Sequence, residues 1–385
     1  MSQLGVGIIG CGYWGPNLVR NFSSCPRTQV VAVFDASRER LEKFRRSHCH
    51  LRLVNSFEEF LQTPGLQAVA IATPVSTHFT LAKQCLEAGL HVLVEKPLAS
   101  TVKEADTLIH LAEQQNRVLM VDHTYLFGNA VRKIKELVDS DALGELYYVD
   151  SVRINLGLFQ HDVNVIWDLA PHDLAIVEHV LGLHARSISA WGCAHAAANI
   201  EDIAYVNVDY GDRLLANFHV NWLSPVKVRQ MIFAGARKSL IFNELNTTEP
   251  IKIYDRGINV DQSPEEMQRL MVSYRSGDVW SPHIEPGEAL LGVANHFAEC
   301  ALDGVPCISG GDLGMRVVQL LEAATRSIRA QGGRVVLSNG NHTNGNGNAR
   351  TGRQEQLHPD LPGRPAGPER GDPLLRELVR LSDRG

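Results

Sequence analysis

Between Leu4 and about Asp122, short apolar runs alternate with segments whose apolar residues recur at helical spacing. That alternation predicts repeated βαβ units and a parallel sheet. The runs Val6 to Ile9, Val30 to Phe34, Ala68 to Ala72, Val92 to Val94 and Val118 to Val121 are continuously apolar, as strands covered on both faces must be. A helical segment from His78 to Ala88 stops at Gly89, which suits a C-cap, and Ser100 or Thr101 can cap a helix reaching about Gln115. After a further helix over Ala130 to Val138 the period changes to two. Leu214, Ala216, Phe218 and Val220 then share one face of a strand, and Gly235 to Lys238 separates two more strand-like runs as a hairpin does. Helical patterns return at Glu288 to Leu302 and at Asp312 to Ala330, the second closed by Gly332-Gly333. The expected fold class is α/β: a doubly wound parallel sheet over residues 1–124, then an α/β domain with an open, mostly antiparallel sheet over 125–337.

Length and composition sharpen this picture. A chain of 385 residues is too long for one ordinary core, and its 44% hydrophobic and 21% charged residues are those of a globular protein. From Ser338 to Gly385 the Asn/Gly/Pro/Arg-rich composition cannot bury enough apolar surface to fold, so a disordered tail is expected there. The stub Leu374 to Val379 is read as a frayed end. A net charge of −6 with no long basic run argues against nucleic acid as a partner, and no stretch of 18 apolar residues predicts a membrane span. No basic leader precedes the first strand, which predicts a cytoplasmic protein. The seven scattered cysteines without a C-x-x-C suit free thiols, and His48-Cys49-His50 has no second ligand pair at zinc-like spacing, so no metal is expected.

The first candidate chemistry is Gly10-Cys11-Gly12-Tyr13-Trp14-Gly15, a G-x-G-x-x-G that follows a strand and opens a helix at Pro16. Gly10 permits the tight turn, Gly12 lets the backbone approach a pyrophosphate, and Gly15 lets helix and strand pack closely. Asp35, twenty residues after Gly15, is positioned to accept from the adenosine ribose hydroxyls. An acid there repels a 2′-phosphate and predicts NAD over NADP, although Ser37 and Arg38 just beyond it could accommodate one.

Three further motifs occur in order: Ala72-Thr73-Pro74 with His78, Glu95-Lys96-Pro97, and Asp168-Leu169-Ala170-Pro171-His172. Together with the glycine fingerprint they resemble the Gfo/Idh/MocA dehydrogenases over residues 5 to about 337. The resemblance implies a Rossmann domain, a second domain whose open sheet forms homo-oligomer contacts, and an active site between them. It also implies Tyr13, Trp14, Thr73, Pro74, His78, Glu95 and Lys96 as cofactor contacts. Lys96, Asp168 and His172 are the implied catalytic residues, with Ala170 standing where the family's D-x-G-x-H has glycine and Pro171 before the histidine. His123, Tyr125, Asn155 and Trp167 occupy positions from which family members reach substrate.

Physical chemistry gives those residues roles of its own. Asp168 and His172 are four apart, so a helix starting there would stack them on one face, with Pro171 tolerated in its first turn. A histidine of ordinary pKa, about 6.5, can accept a hydroxyl proton near neutrality, whereas lysine suits a cationic donor. The expected roles are His172 as base, Asp168 as its orienting or substrate-binding partner, and Lys96 as the group that polarises the alcohol oxygen. Asp173 is expected as a helix-start charge and His179 as structural. Tyr13 to Asn17 and Val121 to Thr124 resemble the subgroup acting on nucleotide sugars and amino sugars. The expected function is therefore hydride transfer between nicotinamide and a secondary carbinol of a sugar. The alternatives are a cyclitol dehydrogenase, an NAD-dependent glycosidase and a non-catalytic NAD-binding regulator, the last opposed by retention of Lys96, Asp168 and His172 together.

Overall fold

The computed structural model describes residues 3–157, 163–259 and 273–337, so the segment from Ser338 onward lies outside the described residues. The first sheet contains β1 (Leu4–Ile9), β2 (Thr28–Phe34), β3 (Leu53–Val54), β4 (Ala68–Ile71), β5 (His91–Glu95) and β6 (Leu119–Asp122). All six are parallel, in the order β3-β2-β1-β4-β5-β6. Every residue of β1 and β4 is buried, which is why these runs carry no polar alternation. The strand order reverses between β1 and β4, and in doubly wound sheets the crevice outside the carboxyl ends at that point takes the ligand. The expected alternation is thus borne out, with helices α1 (Gly15–Ser24), α2 (Arg38–Arg45), α3 (Phe57–Leu61), α4 (Val75–Glu87) and α5 (Val102–Gln114) connecting the strands. Thr101 caps α5 by accepting from the Glu104 amide at 3.1 Å.

A 3₁₀ turn over Thr124–Phe127 and α6 (Asn129–Asp139) lead into the second sheet. That sheet holds β7 (Leu146–Leu156), β8 (Ser187–Cys193), β9 (Ile203–Gly211), β10 (Leu214–Asn221), β11 (Leu223–Gly235), β12 (Ser239–Asn243), β13 (Ile251–Asn259), β14 (Ser273–Trp280) and β15 (Val335–Val336). Its order is β14-β13-β12-β11-β7-β10-β9-β8-β15, antiparallel throughout except where β7 and β10 pair in parallel. Leu214, Ala216, Phe218 and Val220 are buried on β10, and β11 and β12 form the hairpin expected at Gly235. The remaining helices among the described residues are α7 (Val165–Leu181), α8 (Ala289–Asp303) and α9 (Gly311–Arg329). The last packs on α5, α7 and β8, and so joins the two sheets.

The helix that carries Asp168 begins earlier than the sequence predicts. Asn164 caps α7 by accepting from the Trp167 amide at 3.2 Å, so Pro171 lies in the helix interior rather than in its first turn. Without an amide hydrogen Pro171 leaves the Trp167 carbonyl no i+4 donor, and its ring crowds that turn. Gly182, with φ +62°, ends α7 in the left-handed conformation that glycine adopts without a Cβ penalty.

Candidate active site

The nucleotide end of the crevice is built from backbone. Gly10 has φ +95°, and a Cβ there would lie 2.6 Å from the Ala72 carbonyl oxygen; one at Gly15 would lie 2.2 Å from that of Gly10. A Cβ at Gly12 would meet nothing within 4 Å, so the chain leaves open space before α1. No side chain caps α1 at Trp14; Pro16 carries no amide hydrogen and the Asn17 amide donates to the Trp14 carbonyl at 2.9 Å, so the Gly15 amide is the first-turn donor left for an anion. Tyr13 is fully exposed beside that space.

Asp35 is buried at the end of β2, where its carboxylate accepts from the Cys11 amide at 3.0 Å and the Ser37 amide at 2.8 Å. Ser37 and Arg38 do not gather around it as a phosphate site would require. The Ser37 hydroxyl caps α2, and Arg38 donates to Asn55 at 3.0 Å. The cation beside Asp35 is instead Arg40, 3.6 Å from its Oδ2. His78 is buried with Nδ1 2.9 Å from the Pro97 carbonyl and Nε2 2.8 Å from that of Thr73. It braces two βα turns. Burial pushes its pKa down, so the ring is neutral and donates to one of those carbonyls at a time. Thr73 shares a 2.7 Å hydroxyl contact with Thr77, and Pro74 is exposed at the start of α4.

At the ends of β5 and β6 the register sets Glu95 opposite Asp122. Burial, reinforced by the adjacent Asp122 carboxylate, pushes the Glu95 carboxyl well above its ordinary range; Asp122 is also raised by burial. Glu95, Asp122 and the Trp14 indole are drawn together in one buried polar cluster, and both ring nitrogens of His123 are buried with no partner among the described residues. Buried polar atoms are rarely left unpaired. This cluster fits the polar edges of a nicotinamide and its ribose, just as the glycine cradle fits a pyrophosphate.

Lys96 reaches from β5 to the first turns of α7. Its Nζ donates to the Asp168 carbonyl at 2.8 Å and lies 3.5 Å from the Asp168 carboxylate, whose other oxygen accepts from the Trp222 indole at 3.1 Å. The carboxylate is thus engaged by Lys96 and Trp222 rather than by His172, which departs from the orienting role expected for Asp168 and leaves its other expected role, substrate binding, open. His172 instead meets the Tyr125 ring edge-on, centroids 4.9 Å apart at 89°, with Nδ1 buried and unpartnered. Burial, and after it the charges of Lys96 and Arg153, hold the His172 pKa well below its ordinary value. The ring is a neutral acceptor rather than a group titrating near pH 7.

Residues 4–123 match the family model "Oxidoreductase family, NAD-binding Rossmann fold", and residues 131–241 match the GFO/IDH/MocA C-terminal domain. The chain belongs to the Gfo/Idh/MocA family. It is an NAD(P)-dependent oxidoreductase. UDP-N-acetylglucosamine 3-dehydrogenase of Acidithiobacillus ferrooxidans is 28% identical over 260 residues, covering 67% of this chain and 79% of that protein. Its crystal structure superposes with a TM-score of 0.71 at 25% identity, covering 86% of this chain and 99% of that one. The NAD(+)-dependent scyllo-inositol 2-dehydrogenase of Bacillus subtilis is 24% identical over 341 residues, 85% of this chain and 93% of its own length. An inositol dehydrogenase homolog from Azotobacter vinelandii, complexed with NADH and myo-inositol, has the same fold at a TM-score of 0.70 and 20% identity, with 87% of this chain and 98% of that one covered.

In this Gfo/Idh/MocA chain the wall behind His172 is a charged network that the motifs do not announce. Arg153 of β7 donates to Asp173 at 2.6 and 2.9 Å and to Glu244 at 2.8 Å, while its guanidinium lies 5.0 Å from the Tyr125 ring centroid. Asp173 also accepts from Ser151 at 2.8 Å, so it is a buried ion-pair partner and not a helix-start charge. Despite the cost of burial, Asp173 and Glu244 keep Arg153 protonated. Arg229 pairs with Glu244 and donates to the Tyr125 hydroxyl at 3.1 Å. One signal for the network was present: Arg153 falls in phase with the buried Val149 and Ser151, where a charge needs a partner. Trp222 offered none, because its approach to Asp168 is purely tertiary. Among the expected substrate residues, His123 and Tyr125 lie at this wall. Asn155 sits beside Gly157 and Trp222, and the Trp167 indole is spent on Thr325 at 3.0 Å.

Proposed function

We propose that this enzyme oxidises or reduces a secondary carbinol of a sugar ring, carried on a nucleoside diphosphate, with NAD as the preferred hydride partner. The observation that carries the reading is the Lys96 ammonium, held 2.8 Å from the Asp168 carbonyl where β5 meets α7, beside an unpartnered neutral His172. Bound NAD supplies the hydride-accepting carbon. The protein then has to place the carbinol and move its proton. Hydride departure from a carbon whose oxygen keeps its proton would leave a protonated ketone, so a base must take that proton as the hydride leaves. His172, kept neutral by burial, can accept it. Lys96 donates toward the oxygen and stabilises the charge that develops there, and Asp168 with Trp222 fixes the ammonium. Tyr125, held by Arg229, supports the His172 ring.

Support for the substrate class comes from the A. ferrooxidans relative, whose name specifies a UDP-linked amino sugar. The inositol dehydrogenases, which cover more of the chain at lower identity, make a cyclitol the second reading. A screen of NAD reduction across nucleotide sugars, free sugars, amino sugars and cyclitols tests both. A nucleotide sugar should give the highest kcat/KM. Preference for simple 2-hydroxy acids or aliphatic alcohols would overturn the reading.

A further inference from the structure

Outside the active site, a cavity of about 720 Å³ opens between the Rossmann sheet and the loop that joins α8 to α9, and Cys300 and Cys307 line it. His296 stands one helical turn before Cys300 on α8, with its Nε2 3.4 Å from the Cys300 sulfur. The three candidate donor atoms lie within 4.8 Å of one another. We propose that His296, Cys300 and Cys307 bind a divalent zinc ion, with the fourth coordination position open to the cavity.

The donor chemistry and the geometry agree on that ion. Two thiolates and an imidazole are a ligand set zinc prefers, with Zn–S about 2.3 Å and Zn–N about 2.0 Å, which sets ligand atoms roughly 3.5–3.8 Å apart around a tetrahedron. The His296–Cys300 spacing already matches, and small side-chain rotations close the remainder. His296 is also prepared as a ligand. Its Nδ1 lies 3.6 Å from the Glu299 carboxylate, which favours a proton on Nδ1 and leaves the Nε2 lone pair directed at the cluster. That lone pair accepts from the Ile308 amide at 3.0 Å, a bond the ion would replace. Binding converts both thiols to thiolates and releases two protons to solvent. The loop is tied to the sheet two residues later, where the Ser309 hydroxyl donates to the Val121 carbonyl at 2.6 Å. An ion here would therefore brace β6 just before Asp122.

Cobalt(II) titration of the full chain, reduced and stripped with a chelator, tests the proposal. One cobalt per chain should bind with a thiolate-to-metal charge-transfer band in the near ultraviolet, and zinc should displace it. Zinc should also raise the melting midpoint. Cys307→Ser and His296→Gln should each weaken cobalt binding at least tenfold and abolish the zinc-induced shift, whereas Cys49→Ser should change neither. Cys307→Ser, at a half-buried position, keeps the test open should the His296 variant fail to fold. Absence of the band in the reduced wild-type chain would overturn the site. So would its loss in Cys49→Ser rather than Cys307→Ser, which would assign the metal to the His48-Cys49-His50 segment.

Discussion

His172 reaches neutral pH as an uncharged ring, because burial and the nearby Lys96 and Arg153 cations oppose its protonation. If it is the base, the acid limb of kcat/KM for oxidation lies below pH 6.5, and His172→Ala should remove that limb together with about 10²–10⁴-fold in rate. Lys96→Ala should lose a comparable factor while NAD affinity, set by the Gly10–Gly15 cradle and Asp35, stays nearly constant. A retained acid limb in His172→Ala would pass the base role to another group. His123 makes a related prediction about stability. Burial lowers its pKa to about 3, so below pH 6.5 the unfolded chain binds a proton that the folded chain refuses. Stability should then fall as the pH drops from 6.5 toward 3, by about 1.4 kcal/mol per unit for this group, and urea melts of His123→Gln should show a shallower decline. For cofactor choice, Asp35 should favour NAD over NADP on the order of 100-fold. Asp35→Ser should narrow the gap, and a further Arg40→Ala should reopen it, since Arg40 and not Arg38 stands beside the acid. The positions of Lys96, Asp168 and His172 could be read from short motifs in order. Their partners could not: Trp222, Arg153 and Arg229 reach the site through sheet pairing, which has no local pattern.

Elements were legible where one period ran long enough to be seen. Buried apolar runs gave the parallel strands, and a cap and a closing glycine bounded α5 and the helix after His78, but two-residue β3 and five-residue α3 are shorter than any period. Pro171 has the look of a first-turn proline, but the cap of α7 is Asn164, seven residues earlier. What α7 presents on its inner face is Asp173, and β7 answers with Arg153. Removing one partner strands a buried charge, so Asp173→Ala should cost about 3–5 kcal/mol, read as a lowered melting temperature, with Asp173→Asn milder. The same lesion should loosen Tyr125 and His172, because Arg153 stacks on the tyrosine. A melting temperature unchanged in Asp173→Ala would mean that Glu244 alone suffices to hold Arg153.

For the molecule as a whole, the nine-stranded sheet has one face packed on α7 and α9 and another that carries large exposed apolar side chains. Leu215 is 57% exposed on β10 opposite Tyr148 of β7, Trp191 is 60% exposed on β8, and Tyr205 of β9 stacks on His219 at 4.4 Å. These are neighbours across strands and form a patch, not scattered single exposures, and patches of that kind mark association surfaces. A net charge of −6 sets only a weak general repulsion against self-association. A closed two-fold pairing would bring the same patch from two copies together, as isologous interfaces require. The expected outcome is a dimer or larger assembly at micromolar concentration in sedimentation velocity. Leu215→Asp, which adds a charge at an exposed position without disturbing the buried face of β10, should shift it toward monomer. The substitution leaves the Rossmann crevice untouched, so NAD binding should survive. If the wild-type chain sediments as a monomer throughout, the open sheet face serves some other contact, and the stacked Tyr205 and His219 become the residues by which to look for it.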